Sequence, residues 1–198
     1  MKKSILWIVG IIVVVALIAM WLFGAYNSFV KVGEEVNTAW SQVENQYQRR
    51  YDLIPNLVNT VKGMAEQEKA VFIGVTEARA KVGQMNVTPE VLNNPESFAQ
   101  FQSAQGELSS ALSRLLVAVE AYPEIKSNQN FLDLQAQLEG TENRIATERM
   151  RFNDVVKTYN IKAKSIPGVW LVSIFGMDKE KQLFESADGA ETAPVVSF

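Results

Sequence analysis

The chain of 198 residues has no cysteine and no histidine. The first absence excludes a disulfide framework, a thiol nucleophile, a zinc-cysteine site and a lipid-modified cysteine behind a signal sequence. The second removes serine-histidine and cysteine-histidine nucleophile pairs, the Glu-x-x-His pattern of di-iron bundles and the His-Glu-x-x-His zinc helix. Much of enzyme chemistry is gone with those two residue types, and no residue set that remains makes a catalytic site or calls for a cofactor. Basic charge is sparse as well. Lys and Arg number 19 against 22 Asp and Glu, a net charge of −3, and no basic block is longer than Arg49-Arg50. Nucleic acid is therefore not an expected partner.

The one feature in excess is an apolar run. Residues 4–23, SILWIVGIIVVVALIAMWLF with Ser4 and Phe23 at its ends, carry no charge, and the next charge along the chain is Lys31. As a helix the run reaches about 30 Å, the thickness of the hydrocarbon core of a bilayer. The short basic start Met1-Lys2-Lys3 also suits a secretory signal. Secretory apolar regions, however, span about 7–15 residues before a small-x-small site. This run is longer, and its exit Phe23-Gly24-Ala25 puts a bulky ring where a small residue is needed. An uncleaved transmembrane helix over residues 4–24 is expected. Lys2 and Lys3 place residues 1–3 in the cytoplasm and the bulk outside it by the positive-inside rule. Trp7, Trp21, Phe23 and Tyr26 fall at headgroup depth.

Beyond the anchor the pattern is helical throughout. Phe29, Val32, Val36, Trp40, Val43, Tyr47, Tyr51 and Ile54 take seven steps over 25 residues, a seam between the 3.5 of a coiled coil and the 3.6 of a straight helix. Pro55 lacks a backbone donor and disfavours helical geometry at Ile54. A tight hairpin over residues 52–56 is expected, with one long kinked helix as the rival, since the seam continues in register through Leu57. A second helix is expected over residues 56–83, with Glu68 its only polar seam residue. Residues 82–97 gather Gly83, Pro89, Asn93, Asn94 and Pro95, a loop that also holds the sequon Asn86-Val87-Thr88; Ser97 or Asn94 would cap the third helix. That helix takes residues 96–122 and a fourth takes residues 124–164, its seam interrupted by Glu142 and Arg149. Residues 168–177, GVWLVSIFGM, are apolar but too short to span. Residues 186–198 lack periodicity and are expected to form a flexible tail.

Several stretches, in order, resemble the LemA family of bacterial membrane-anchored helical proteins. One is AWSQVENQYQRRYDLIPNLVNTVKGMAEQE from Ala39, which contains Trp40, Glu44, Arg49, Arg50, Asp52, Pro55, Asn56 and Glu68. The others are Glu120-Ala121-Tyr122-Pro123-Glu124, Asn130-Phe131, Leu134 to Ala146 with Glu142, Asn143 and Arg144, and Tyr159-Asn160. The resemblance covers residues 25 to about 185. It implies an all-α architecture, a single N-terminal transmembrane helix continuing into an antiparallel four-helix bundle outside the cytoplasm. It implies no established biochemical activity.

Three residue groups have both a functional and a structural reading. Glu68, Glu142 and Arg149 on the seams, with Glu44, Arg49, Arg50, Glu139, Arg144 and Glu148 near them, make either a carboxylate site for a hard cation or an ion-pair layer that fixes helix register. The arginines and the missing histidine favour the layer. Tyr47, Tyr51 and Tyr122 with Pro55 and Pro123 make either a recognition tip or plain helix ends. Trp170 and Phe175 make either a membrane-interface face or a lid on the bundle base. The expected function is a non-enzymatic, membrane-tethered extracytoplasmic scaffold or adaptor that forms homo-oligomers or binds a membrane or envelope protein. The alternative is an envelope enzyme using a carboxylate-bound hard metal ion.

Overall fold

The computed structural model describes residues 2–64, 66–85 and 89–185; the sequon at Asn86 and the tail from Ser186 lie outside them. Among the described residues all regular structure is helical: α1 (Lys2–Thr60), α2 (Lys69–Gly83), α3 (Pro95–Val119), the single turn α4 (Pro123–Lys126), α5 (Gln129–Lys164) and α6 (Gly168–Phe175). Among the same residues the N-terminal apolar run is the one helical segment long and apolar enough to cross a membrane. From Ile5 to Phe23 no side chain is buried against the rest of the chain. The first buried residue is Phe29.

The expected hairpin at residues 52–56 does not form. α1 passes through Pro55 and ends only at Thr60, so the chain continues as one helix, as the rival reading had it apart from the kink, and the turn falls at residues 61–68. Two observations explain why the helix survives its proline. Ile54, Leu57 and Val61 all remain in the core at 1 % exposure or less, and a break at Pro55 would take the last two out of register. The Tyr51 carbonyl, which would have accepted the missing N–H of Pro55 one turn on, accepts instead from Arg79 Nε of α2 at 3.4 Å. The Arg79 guanidinium also lies 3.9 Å over the Tyr51 ring. Leu57 and Val61 thus belong to α1 and the turn after it, and α2 is only the short helix Lys69–Gly83.

α5 runs antiparallel along α1, with Tyr159 on Phe29, Phe152 on Trp40 and Glu142 on Arg50. α2 and α3 form a second antiparallel pair, Tyr122 beyond the end of α3 meeting Glu68 and Glu107 meeting Lys81. α3 starts where Asn94 caps it, accepting from the Ser97 N–H at 3.0 Å, and brings Phe101 to Trp40 and Gln105 to Arg50. Because α2 is short, it covers only the far part of α1. The part nearer the N-terminal apolar run is covered by residues 177–185, which run as an extended strap over α1 and α5. Phe184 stacks on Trp40, ring centroids 6.1 Å apart.

The strap is held by a backbone ladder built from side chains. Asn160 donates to the Lys181 carbonyl and accepts from the Lys181 N–H, both at 2.9 Å. Asn153 does the same for Phe184, again at 2.9 Å. The spacing is a match of two rises: from Asn153 to Asn160 a helix climbs about 10 Å, and from Lys181 to Phe184 an extended chain covers about 10 Å. Each of these strap amides thereby finds a partner without a sheet.

Candidate functional site

The core is divided in two. One cluster holds Phe29 to Tyr47 of α1 with Phe98, Phe101, Ile145 and Phe152. The other holds Ile54, Leu57 and Val61 with Leu108, Leu115, Phe131 and Leu138. Between them lies a polar layer centred on Arg50, which is 1 % exposed. A guanidinium taken from water costs several kcal/mol unless each donor is matched, and here nearly all are. Arg50 Nη1 donates to Glu142 Oε1 at 2.6 Å and to Ser109 Oγ at 2.5 Å. Its Nη2 donates to the side-chain and main-chain oxygens of Gln105. Of its nitrogens, Nε alone has no partner among the described residues. Thr141, also buried, turns its hydroxyl back to the Gln137 carbonyl at 2.7 Å.

Glu142 is 42 % exposed and opens into a surface cleft of about 520 Å³, lined also by Tyr47, Gln102, Arg149 and Glu185. Arg149 lies 4.4 Å over the Phe184 ring and donates to the Glu185 carbonyl. The cleft's two arginines are thus engaged, Arg50 with Glu142 and Arg149 with the strap. The carboxylate site expected as the alternative to an ion-pair layer is not assembled: Glu142 is on Arg50, while Glu68 lies in the far turn, accepting from the Tyr122 hydroxyl at 3.4 Å. Among the described residues no three acidic side chains are grouped to hold a metal.

The other signature residues are spread over the surface of the same helices. Glu44 sits one turn beyond the fully buried Trp40, and burial raises its carboxyl above the usual range. The Trp40 indole N–H has no acceptor within hydrogen-bonding geometry among the described residues. Arg49, Asp52, Asn56, Asn143 and Arg144 are exposed. Asp52 accepts from Gln48 at 2.8 Å. The tyrosine-proline tip is not formed. Tyr47 is buried edge-on to Phe101 and Tyr51 lies under Arg79, so both flank the shaft of α1, and only Tyr122 and Pro123 reach the far end.

At the near end α6 splits the two readings of residues 168–177. Gly168, Leu171 and Val172 are buried on α5 and α1, whereas Trp170 and Phe175 are 53 % and 56 % exposed. Gly168 is obligatory here, because a Cβ would lie 1.8 Å from the Lys162 carbonyl oxygen. Sequence reasoning missed the strap and the role of Asn153 and Asn160. The available signal was the pair of asparagines seven positions apart on one face of α5, a spacing that has meaning only once an extended partner is placed against it.

With this geometry in place, comparison with known proteins gives a consistent result. The family described as "LemA family" matches residues 39–198. The chain is 29 % identical over 208 aligned residues to two curated proteins of Paramagnetospirillum magneticum, "Magnetosome protein MamQ 1" and "Magnetosome protein MamQ 2", covering 97 % of this chain and 75 % of each of theirs. "Magnetosome protein MamQ" of Magnetospirillum gryphiswaldense is 28 % identical over 180 residues, 83 % of this chain and 66 % of the relative.

Proposed function

We propose, for a chain that belongs to the LemA family, a non-enzymatic role as a membrane-tethered scaffold of the bacterial cell envelope. The helical domain stands outside the cytoplasm, associates with further copies of itself and docks a membrane or envelope protein. The fold that goes with this reading is an antiparallel four-helix bundle of α1, α2, α3 and α5, supported by the antiparallel α1/α5 and α2/α3 pairs.

The observation that carries the proposal is the use made of the polar core. Its charged groups position helices: Arg50 ties α1 to α3 and α5 at one level, and a misregistered bundle would leave it unpaired. Register control of this kind is the best-attested role of buried polar residues. The outward residues of the signature, Arg49, Asp52, Asn143 and Arg144, are left free of the core and make the natural contact surface for a partner. A photo-crosslinking amino acid placed at Arg49 and, separately, at Arg144 in the full-length protein in intact cells should yield defined adducts, either a dimer of the chain or one recurrent envelope protein. Absence of any defined adduct from both positions would overturn the scaffold reading.

A further inference from the structure

We infer that α6 lies in the headgroup boundary of the same bilayer that α1 crosses, so that the domain rests on the membrane at a second point beside its anchor. Three observations lead there. The first is position. The Phe175 ring packs against Tyr26, centroids 4.8 Å apart, and Tyr26 is three residues beyond the apolar run. Lys162 at the end of α5 donates to the Ser28 hydroxyl at 2.7 Å, so the link into α6 is tied to the same turn of α1. The second is composition by face. The inner face, Leu171 and Val172, closes the bundle base, while Val169, Trp170, Ile174 and Phe175 face outward at 44 %, 53 %, 74 % and 56 % exposure, joined by Ile166 at 69 %. No charge interrupts α6. Scattered exposed apolar residues need no explanation, but a contiguous apolar face does.

The third is rigidity. The first residue of α6 is jammed against the Lys162 carbonyl at Gly168, and its last turn is closed by Gly176 in the left-handed region at φ 64°. The apolar face is therefore presented at a fixed angle. Of the surfaces that could cover it, lipid is the one nearest to it: Phe175 packs on Tyr26, three residues past the exposed side chains of the apolar run. An indole at this depth, with its N–H toward water, is the usual placement of tryptophan at a bilayer, and a short apolar helix face lying in the plane of the interface is a known mode of attachment.

The test uses the full-length chain at one copy per lipid nanodisc, with Trp7→Phe and Trp21→Phe, which leaves Trp40 and Trp170 as reporters. Trp40 is fully buried and stands about 25 Å along the helix from Phe23. Phosphatidylcholine brominated near the headgroup end of its chains should quench part of the emission relative to the unbrominated lipid. That loss should vanish when Trp170→Phe is added, while the Trp40 signal stays. Equal emission in both lipids would overturn the inference. So would quenching that persists undiminished in the Trp170→Phe protein, which would assign the loss to Trp40 and not to α6. The measurement is made on isolated copies, so it stands or falls independently of the scaffold's partners.

Discussion

Arg50 is held by a carboxylate, an amide and a hydroxyl from two other helices, so its removal and the removal of its partners are not equivalent. Arg50→Ala empties a fully buried site and strands Gln105; it is expected to cost about 3–5 kcal/mol, as for truncation of a large side chain in a core. Glu142→Gln keeps an acceptor in place on a half-exposed side chain and is expected to cost about 1 kcal/mol, the difference between a charge-assisted and a neutral hydrogen bond. Thermal unfolding of the full-length protein in one detergent checks both; a Glu142→Gln loss equal to that of Arg50→Ala would show that the layer is not organised around the arginine. Arg50 also shows where reading from sequence fails. Trp40, Val36 and Val43 are legible because apolar side chains at helical spacing have one place to go. The observed seam runs Tyr47, Arg50, Ile54, Leu57, Val61, and a reading that seeks apolar residues prefers Tyr51 to its charged neighbour. Only the placement of Glu142, Gln105 and Ser109 offsets the cost of burying that charge, and those residues are distant in the chain.

At the level of elements, the persistence of α1 through Pro55 rests on Arg79 from another helix. If the Tyr51 carbonyl is satisfied by Arg79 because Pro55 has no N–H to offer, the two substitutions must couple. Arg79→Ala should be costlier with Pro55 present than in a Pro55→Ala background, where the backbone donor is restored, by about 1 kcal/mol. Chemical denaturation of the four proteins of the cycle measures this; additivity within about 0.5 kcal/mol would remove the link. The helix stop expected at Pro55 is a local rule overridden by tertiary packing, and the one local signal against it was the seam that continues in register through Leu57. The existence of α3 and α5 was legible from their long seams, and Asn94 was one of the two caps that the sequence offered, the other being Ser97, whose N–H it in fact accepts from. The strap was not, because an extended segment held by two asparagines leaves no periodicity of its own.

For the molecule as a whole, the proposed side of the membrane rests on charge at the ends of the span. Lys2 and Lys3 precede it, and Glu34 and Glu35 come just after Lys31 beyond it. Protease added to spheroplasts is expected to digest the helical domain, with degradation seen from the C-terminal side; protection until the inner membrane is lysed would reverse the orientation. A mild unfolding agent that leaves the membrane sealed makes a folded domain on the outer side cleavable and leaves an inner one protected.

The continuity of α1 has a mechanical consequence. With the proposed span in a bilayer, a helix of 59 residues that runs unbroken through Pro55 makes the span and the domain's central strut one lever, with the bilayer surface as fulcrum. From Phe23 to Thr60 the outer arm is about 55 Å long. A span that leans by about 20°, the average for transmembrane helices, sweeps the far turn about 19 Å sideways while lowering it only about 3 Å. A change in bilayer thickness that alters the lean is therefore delivered at the distal tip as lateral travel, many times larger than the change in height.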